Sequence, residues 1–159
     1  LTDDLGARAS AGILDGVDVV RVARSHPRRP PAEARPAVSM RAAAPASAMG
    51  RVLLADLEPR ELDRRLRRLR LDAAPPSAAS REELALGLVE VRDRGFALVG
   101  EASEEGAITL AVIVPGASAI GRLAIDLTVP VDRADPEATM RDHLPRLRRA
   151  AADIAGRAP

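Results

Sequence analysis

The chain has 159 residues, a length suited to one domain with a single core. It contains no cysteine, which excludes disulfides, thiolate metal sites and a cysteine nucleophile. Its 24 basic and 23 acidic residues leave a formal charge of +1, so net charge gives no nucleic-acid footprint. Every basic residue is arginine and Phe96 is the single aromatic residue, so any pocket is walled by aliphatic side chains and backbone. The two histidines, His26 and His143, lie too far apart in sequence to suggest a metal cluster, and no metal or cofactor is expected. No segment approaches a membrane span and no signal-peptide pattern opens the chain, so a soluble, cytoplasmic protein is expected.

Residues 1–7 read as the tail of a helix. "SAGILDGVDVVRVARS" (10–25) then reads as two strands around a tight turn at Asp15-Gly16. "HPRRPPAEARP" (26–36) is a Pro/Arg-rich loop and "AVSMRAA" (37–43) a short strand. In "PASAMGRVLLADL" a proline near the start and apolar Met49, Leu53 and Leu57 predict a helix. "EPRELDRRLRRLRL" follows as a second helix, with Pro59 early and Leu62, Leu66 and Leu69 on one side. "DAAPPSAA" (72–79) is a linker. Ser80 with Glu83 makes a capping-box pattern that opens a helix running to about Arg94, where Gly95 ends it. "FALVGE" (96–101) and "AITLAVIVP" (107–115) are strands, "GASAIG" (116–121) is a turn region, and "RLAIDLTVP" (122–130) is the last strand. Asp135-Pro136 starts a final helix to about Ala155, which Pro145 is expected to kink. The order of strands, helices, strands and helix, with antiparallel neighbours, indicates an α+β domain.

Alternation along the last two strands separates two kinds of side chain. Leu123, Ile125, Leu127 and Val129 share one face, as do Ile108, Leu110, Val112 and Val114. Ala124, Asp126 and Thr128 share the other, with Ala107, Thr109, Ala111 and Ile113 on the corresponding face of the neighbour. One reading is an antiparallel sheet with a wet side. The other is a cavity floor, where small residues leave room and Asp126, Thr128 and Thr109 orient a ligand.

Other motifs carry less. "DRRLRRLR" (63–70) has its leucines at helical spacing, so it reads as an amphipathic helix with a solvated basic face rather than a nucleic-acid patch. His143, beside Leu144-Pro145, reads as a helix-surface or packing residue. The chain shows no nucleophile elbow, P-loop, HExxH or paired-carboxylate setting, and Ser39, Ser47 and Ser118 have no triad in view. No catalytic residue is assigned, and the protein is not expected to be an enzyme.

Five segments arrive in a telling order: "SAMGRVLLADL" (47–57), "LVEVRDRGFALVGE" (88–101), "EEGAITLAVIVP" (104–115), "GRLAIDLTVP" (121–130) and "HLPRLRRAAADIAGR" (143–157). Together they resemble the C-terminal effector-binding domain of IclR-family bacterial transcription regulators, and residues 1–24 resemble that domain's first helix and hairpin. "SAMGRVLLADL" and "LPRLRRAA" look most like the subgroup governing aromatic-acid breakdown. The resemblance implies a GAF-like (profilin-like) fold, a curved antiparallel sheet flanked by helices, as one effector-binding domain over residues 1–159. The family's N-terminal winged helix-turn-helix domain is not in this sequence, so contact with operator DNA is expected only through that domain. Carried onto this chain, the family's effector-binding positions are Ala48 and Met49, Val99, Gly100 and Glu101, Ala107 and Thr109, and Asp126 with Thr128. Serine or asparagine is commoner in the family where Asp126 stands. A carboxylate there repels an acidic effector unless it is protonated or paired with arginine, so the expected effector carries a hydroxyl, amine or neutral group near Asp126. Dimers or tetramers joined partly through this domain are expected. The alternative is an assembly module whose pocket has degenerated and which only mediates association.

Overall fold

The computed structural model describes residues 2, 6–25, 41–68, 81–101, 107–116, 121–130 and 135–157. Its first hairpin joins β1 (Arg8–Asp15) to β2 (Asp18–Ser25), and the connecting residues are Gly16 and Val17. Gly16 adopts φ +64°, a left-handed conformation that glycine enters without steric cost. The turn thus sits one residue beyond the expected Asp15-Gly16. The reason is that Asp15 and Asp18 are both kept in the ladder, directly opposite one another. Arg41 binds both carboxylates at 2.8 Å and offsets their mutual repulsion.

Arg41 opens β3 (Arg41–Ala43), a short edge strand on β2. A 3₁₀ turn at Ala44–Ala46 leads into α1 (Ala48–Ala55), and Ala44 N donates to Val17 O at 2.9 Å. Next come α2 (Pro59–Arg68), α3 (Arg81–Arg94), β4 (Ala97–Glu101), β5 (Ala107–Ile113), β6 (Leu123–Pro130) and α4 (Pro136–Ala155). Gly95, at φ +70°, lets the chain leave α3 and turn into β4. Asp135 caps α4 by accepting from Ala138 N at 2.8 Å. The helical span runs on through Pro145, and Pro145 and Arg141, whose carbonyl loses an N–H partner, are both exposed to water. The expected loop at 26–36, the strand segment before Arg41, the 72–79 linker and the Ser80 cap lie outside the described residues, as does most of the opening helix.

The six strands form one antiparallel, curled half-barrel sheet in the order β3-β2-β1-β6-β5-β4. β1 closes the sheet by pairing with β6, more than a hundred residues away, with Ser10 opposite Asp126 and Gly12 opposite Ala124. Side-chain alternation then builds two cores. On one face α1, α3 and the leucines of α2 pack on Val19, Ala97, Ala111 and Ala124. On the other, Leu147 and Ala151 of α4 cover Leu110, Val112, Leu123, Ile125, Leu127 and Val129. Both faces of β5 and β6 are buried. The reading of a sheet wet on one side is therefore corrected: its small residues lie buried beneath the side chains of α1 and α3. Gly12 shows the closeness, since a Cβ at that position would stand 2.5 Å from Met49 Sδ.

Candidate functional site

The α1 face carries the polar residues singled out above. Ser47 sets one wall: its Oγ accepts from Gly50 N at 3.0 Å and caps the helix, which brings Ala48 and Met49 down onto the sheet, fully buried. Arg51 belongs to the same turn and donates from Nε to Pro45 O at 2.9 Å, tying the 3₁₀ turn to the helix. Burial lowers its pKa from the usual arginine value.

Register places the rest. Thr109 of β5 stands opposite Thr128 of β6, and their hydroxyls meet at 3.1 Å. Thr109 is also opposite Val99 of β4, while Ala107 is opposite Glu101 and Pro130. Ala111, opposite Asp126, belongs to the same face. Gly100 instead pairs with Ile108, at a register position of the α4 face. The sequence-predicted residues Thr109, Thr128, Asp126, Val99, Ala107 and Glu101 thus share one face across three adjacent strands, with Ala48 and Met49 on the helix above it, and Gly100 falls on the reverse.

Asp126 is 2% exposed, and its partners come from the hairpin. Oδ1 accepts from Ser10 N at 3.1 Å and from Ser10 Oγ at 2.5 Å. Arg21 Nη2 stands 3.9 Å from Oδ2, with the arginine side chain 13% exposed. A buried carboxylate without such compensation would be costly. Pairing with arginine is the condition under which the carboxylate does not repel an acidic effector, and this chain meets it.

Neither Ser10 nor Arg21 was singled out from sequence. Alternation within the hairpin puts Ser10 and Gly12 on one face of β1, but nothing local says that β1 lies beside β6. Arg21 has a faint signal, an arginine between valines in an apolar strand. A β-bulge sharpens its placement: Ala11 pairs with Ala23 and Gly12 with Arg21, so Val22 is an extra residue in β2. Val22 is left more than half exposed.

A separate open cleft of about 380 Å³ lies at the other end of α1, lined by Val52, Asp56, Leu57, Pro59, Arg92 and Ile113 among others, and contains none of the predicted site residues. No group of three or more histidine or acidic residues that could hold a metal occurs among the described residues. No helix among them is long and apolar enough to cross a membrane.

A family model described as bacterial transcriptional regulator IclR C-terminal matches residues 1–156. Among solved structures, a transcriptional regulator from Rhodococcus sp. RHA1 is 32% identical with a TM-score of 0.84, over 98% of this chain and 62% of that one. The inducer-binding domain of a double mutant of the PobR transcription factor from Acinetobacter, in complex with 3-hydroxybenzoic acid, is 25% identical with a TM-score of 0.84, over 97% and 90%. An IclR transcriptional regulator from Alicyclobacillus acidocaldarius shares the fold, at 22% identity and a TM-score of 0.80, over 98% and 62%. The chain therefore spans about three-fifths of the length of the first and third of these proteins. A search of curated proteins by sequence finds no match. The family and these neighbours are transcriptional regulators, not enzymes.

Proposed function

This chain belongs to the bacterial IclR transcriptional-regulator C-terminal domain family, and on that footing we propose that it senses a small organic effector on the α1 face of its sheet. The observation that carries the reading is the gathering of Ser10, Arg21, Thr109, Asp126 and Thr128 on a face otherwise made of small or aliphatic residues. Few, convergent polar groups among apolar walls are what orient a small ligand. The residues proposed to meet it are Ala48, Met49, Val99, Glu101, Ala107, Thr109, Asp126 and Thr128, with Gly100, whose register position is on the reverse face, reached only through its backbone. The first turn of α1 adds backbone N–H groups and the positive end of its dipole.

The proposed mechanism is linkage. In a full-length regulator the effector favours one arrangement of an associated dimer or tetramer, and it shifts the DNA affinity of a preceding winged helix-turn-helix domain by its differential affinity for the two states. Aromatic-acid metabolites are the first effectors to try, because the PobR domain was solved with 3-hydroxybenzoic acid. A thermal-shift screen of small organic acids and phenolics tests the reading. A ligand at a hundred times its Kd stabilises the native state by about 2.7 kcal/mol and raises the melting temperature.

The second reading, an assembly module with a closed pocket, draws on Asp126 being satisfied from within the chain by Ser10 and Arg21. It predicts no shift with any compound in the screen together with stable oligomers in sedimentation. Shifts with a defined chemical class would reject it.

A further inference from the structure

The open cleft of about 380 Å³ at the far end of α1 is built differently from the polar face between that helix and the strands. Its walls are aliphatic: Val52 and Leu57 are buried, while Val91 of α3 and Ile113 at the end of β5 are half-buried. Charged hydrogen bonds set the opening. Arg92 reaches from α3 to Ala55 O at 2.7 Å and to Leu57 O at 2.6 Å, and Arg122 pairs with Asp56 at 2.8 Å. The chain therefore fixes α3 and the start of β6 against the C-terminus of α1, and the cleft between them has the size of a small-molecule site.

The polar groups lining it are Asp56, Glu58 and Arg92. Arg92 directs Nε and Nη2 to the carbonyls at the negative end of the α1 dipole. Asp56 uses Oδ2 on Arg122, which leaves Oδ1 facing no donor among the described residues. Glu58 is exposed, and its side chain has no hydrogen bond or ion pair among the described residues. α2 begins at Pro59, which has no N–H to offer an anion. Acceptors thus outnumber donors beside an apolar wall, and the complement of that arrangement is a cation with an apolar body.

We propose that this cleft is a second ligand site, distinct from the α1 face of the sheet, and that it takes a small organic ammonium ion. The apolar body lies against Val52, Leu57 and Ile113, and the ammonium donates to Glu58 and to Asp56 Oδ1. Burial of the body supplies most of the affinity, and the exposed carboxylate supplies the choice of a cation. This site does not depend on the sensor reading.

The experiment measures binding of 2-phenylethylamine and hexylamine, each against the alcohol of the same skeleton, by calorimetry on this chain. Wild type is expected to prefer at least one amine over its alcohol by about threefold to tenfold. Glu58→Gln, a surface change that keeps the backbone bonds of the α2 start, brings the amine down to the affinity of the alcohol and leaves the alcohol unchanged. Ile113→Trp fills the cleft and abolishes binding of both, in protein shown to be folded by its melting transition. Equal binding of amine and alcohol by wild type, or a preference that survives Glu58→Gln, overturns the cation assignment. Binding that folded Ile113→Trp retains overturns the cleft as the site, and so does failure of both amines to bind wild type. None of these outcomes bears on the screen for effectors of the α1 face.

Discussion

At the scale of single residues, the sharpest constraints are steric and electrostatic. Gly50 lies in the first turns of α1, where alanine would ordinarily gain about 1 kcal/mol over glycine in helix propensity. Here a Cβ would fall on the carbonyl oxygen and Cα of Ala44, backbone atoms that cannot rotate away. Gly50→Ala is therefore expected to destabilise by about 3 kcal/mol or more, read as a drop in the urea midpoint. His143 supplies a pH test. Its Nδ1 is buried and has no hydrogen-bond partner among the described residues. Desolvation holds its pKa below the ordinary value of 6.5, with Asp142 opposing and Arg146 adding to the shift. Well above pH 6.5 the imidazole is neutral folded and unfolded and contributes no slope. As pH falls from there toward the lowered folded value, the unfolded chain takes the proton first and stability declines. Urea midpoints at pH 7.5 and 5.5 should differ less in His143→Gln than in wild type.

At the scale of elements, both ends of α1 are held by specific partners, which matters because an eight-residue helix is too short to be stable alone. Ser47 closes the N-terminus. At the C-terminus, Arg92 of α3 donates to Ala55 O at 2.7 Å and to Leu57 O at 2.6 Å, and Arg122 pairs with Asp56 at 2.8 Å. These carbonyls would otherwise depend on water. Arg92→Ala is expected to cost about 1–3 kcal/mol, because it removes two charged hydrogen bonds and leaves apolar packing, through Leu84, Leu88 and Val91 among others, to tie α3 to this core. Faster amide exchange in the last turn of α1 than in α4 would locate the loss. α2 is held differently: Glu61 bonds Arg65 at 2.6 Å, and this hydrogen bond holds the carboxyl below its usual range. Arg64, Arg67 and Arg68 remain on the exposed side, as expected of an amphipathic helix with a solvated basic face.

At the scale of the whole molecule, the half-barrel carries a core on each face, and the two do not do the same work. The α4 face is aliphatic, and Leu127 at its centre is completely buried. Leu127→Ala should cost about 2–5 kcal/mol, a large share of the roughly 5–15 kcal/mol that holds a domain together. Because its side chain points away from α1, the surviving folded fraction should bind effector with unchanged affinity. Unfolding and ligand titration on the same variant check this, and an altered affinity would mean that the two faces are coupled. The α1 face sets small strand residues against its helices and holds the buried polar cluster, which is where binding is expected to register.

Much of this was legible from sequence because its determinants are local. Helix and strand spans follow from the period of apolar residues, Gly95 and Asp135 mark boundaries, and alternation alone separates Leu123, Ile125, Leu127 and Val129 from Ala124, Asp126 and Thr128. Alternation says which side chains share a face, and not what covers that face. Whether Asp126 met water or a partner therefore depended on helices contributed by distant parts of the chain. The first hairpin's place next to β6 brings Ser10 and Arg21 to Asp126 across more than a hundred residues, a pairing fixed by two-sided burial that no local pattern encodes. The sequence by itself determined most of the elements, which side chains share a face, and the presence of an acid among small residues. Only the tertiary structure decided that this acid is neutralised by an arginine, because charge compensation depends on distance in space.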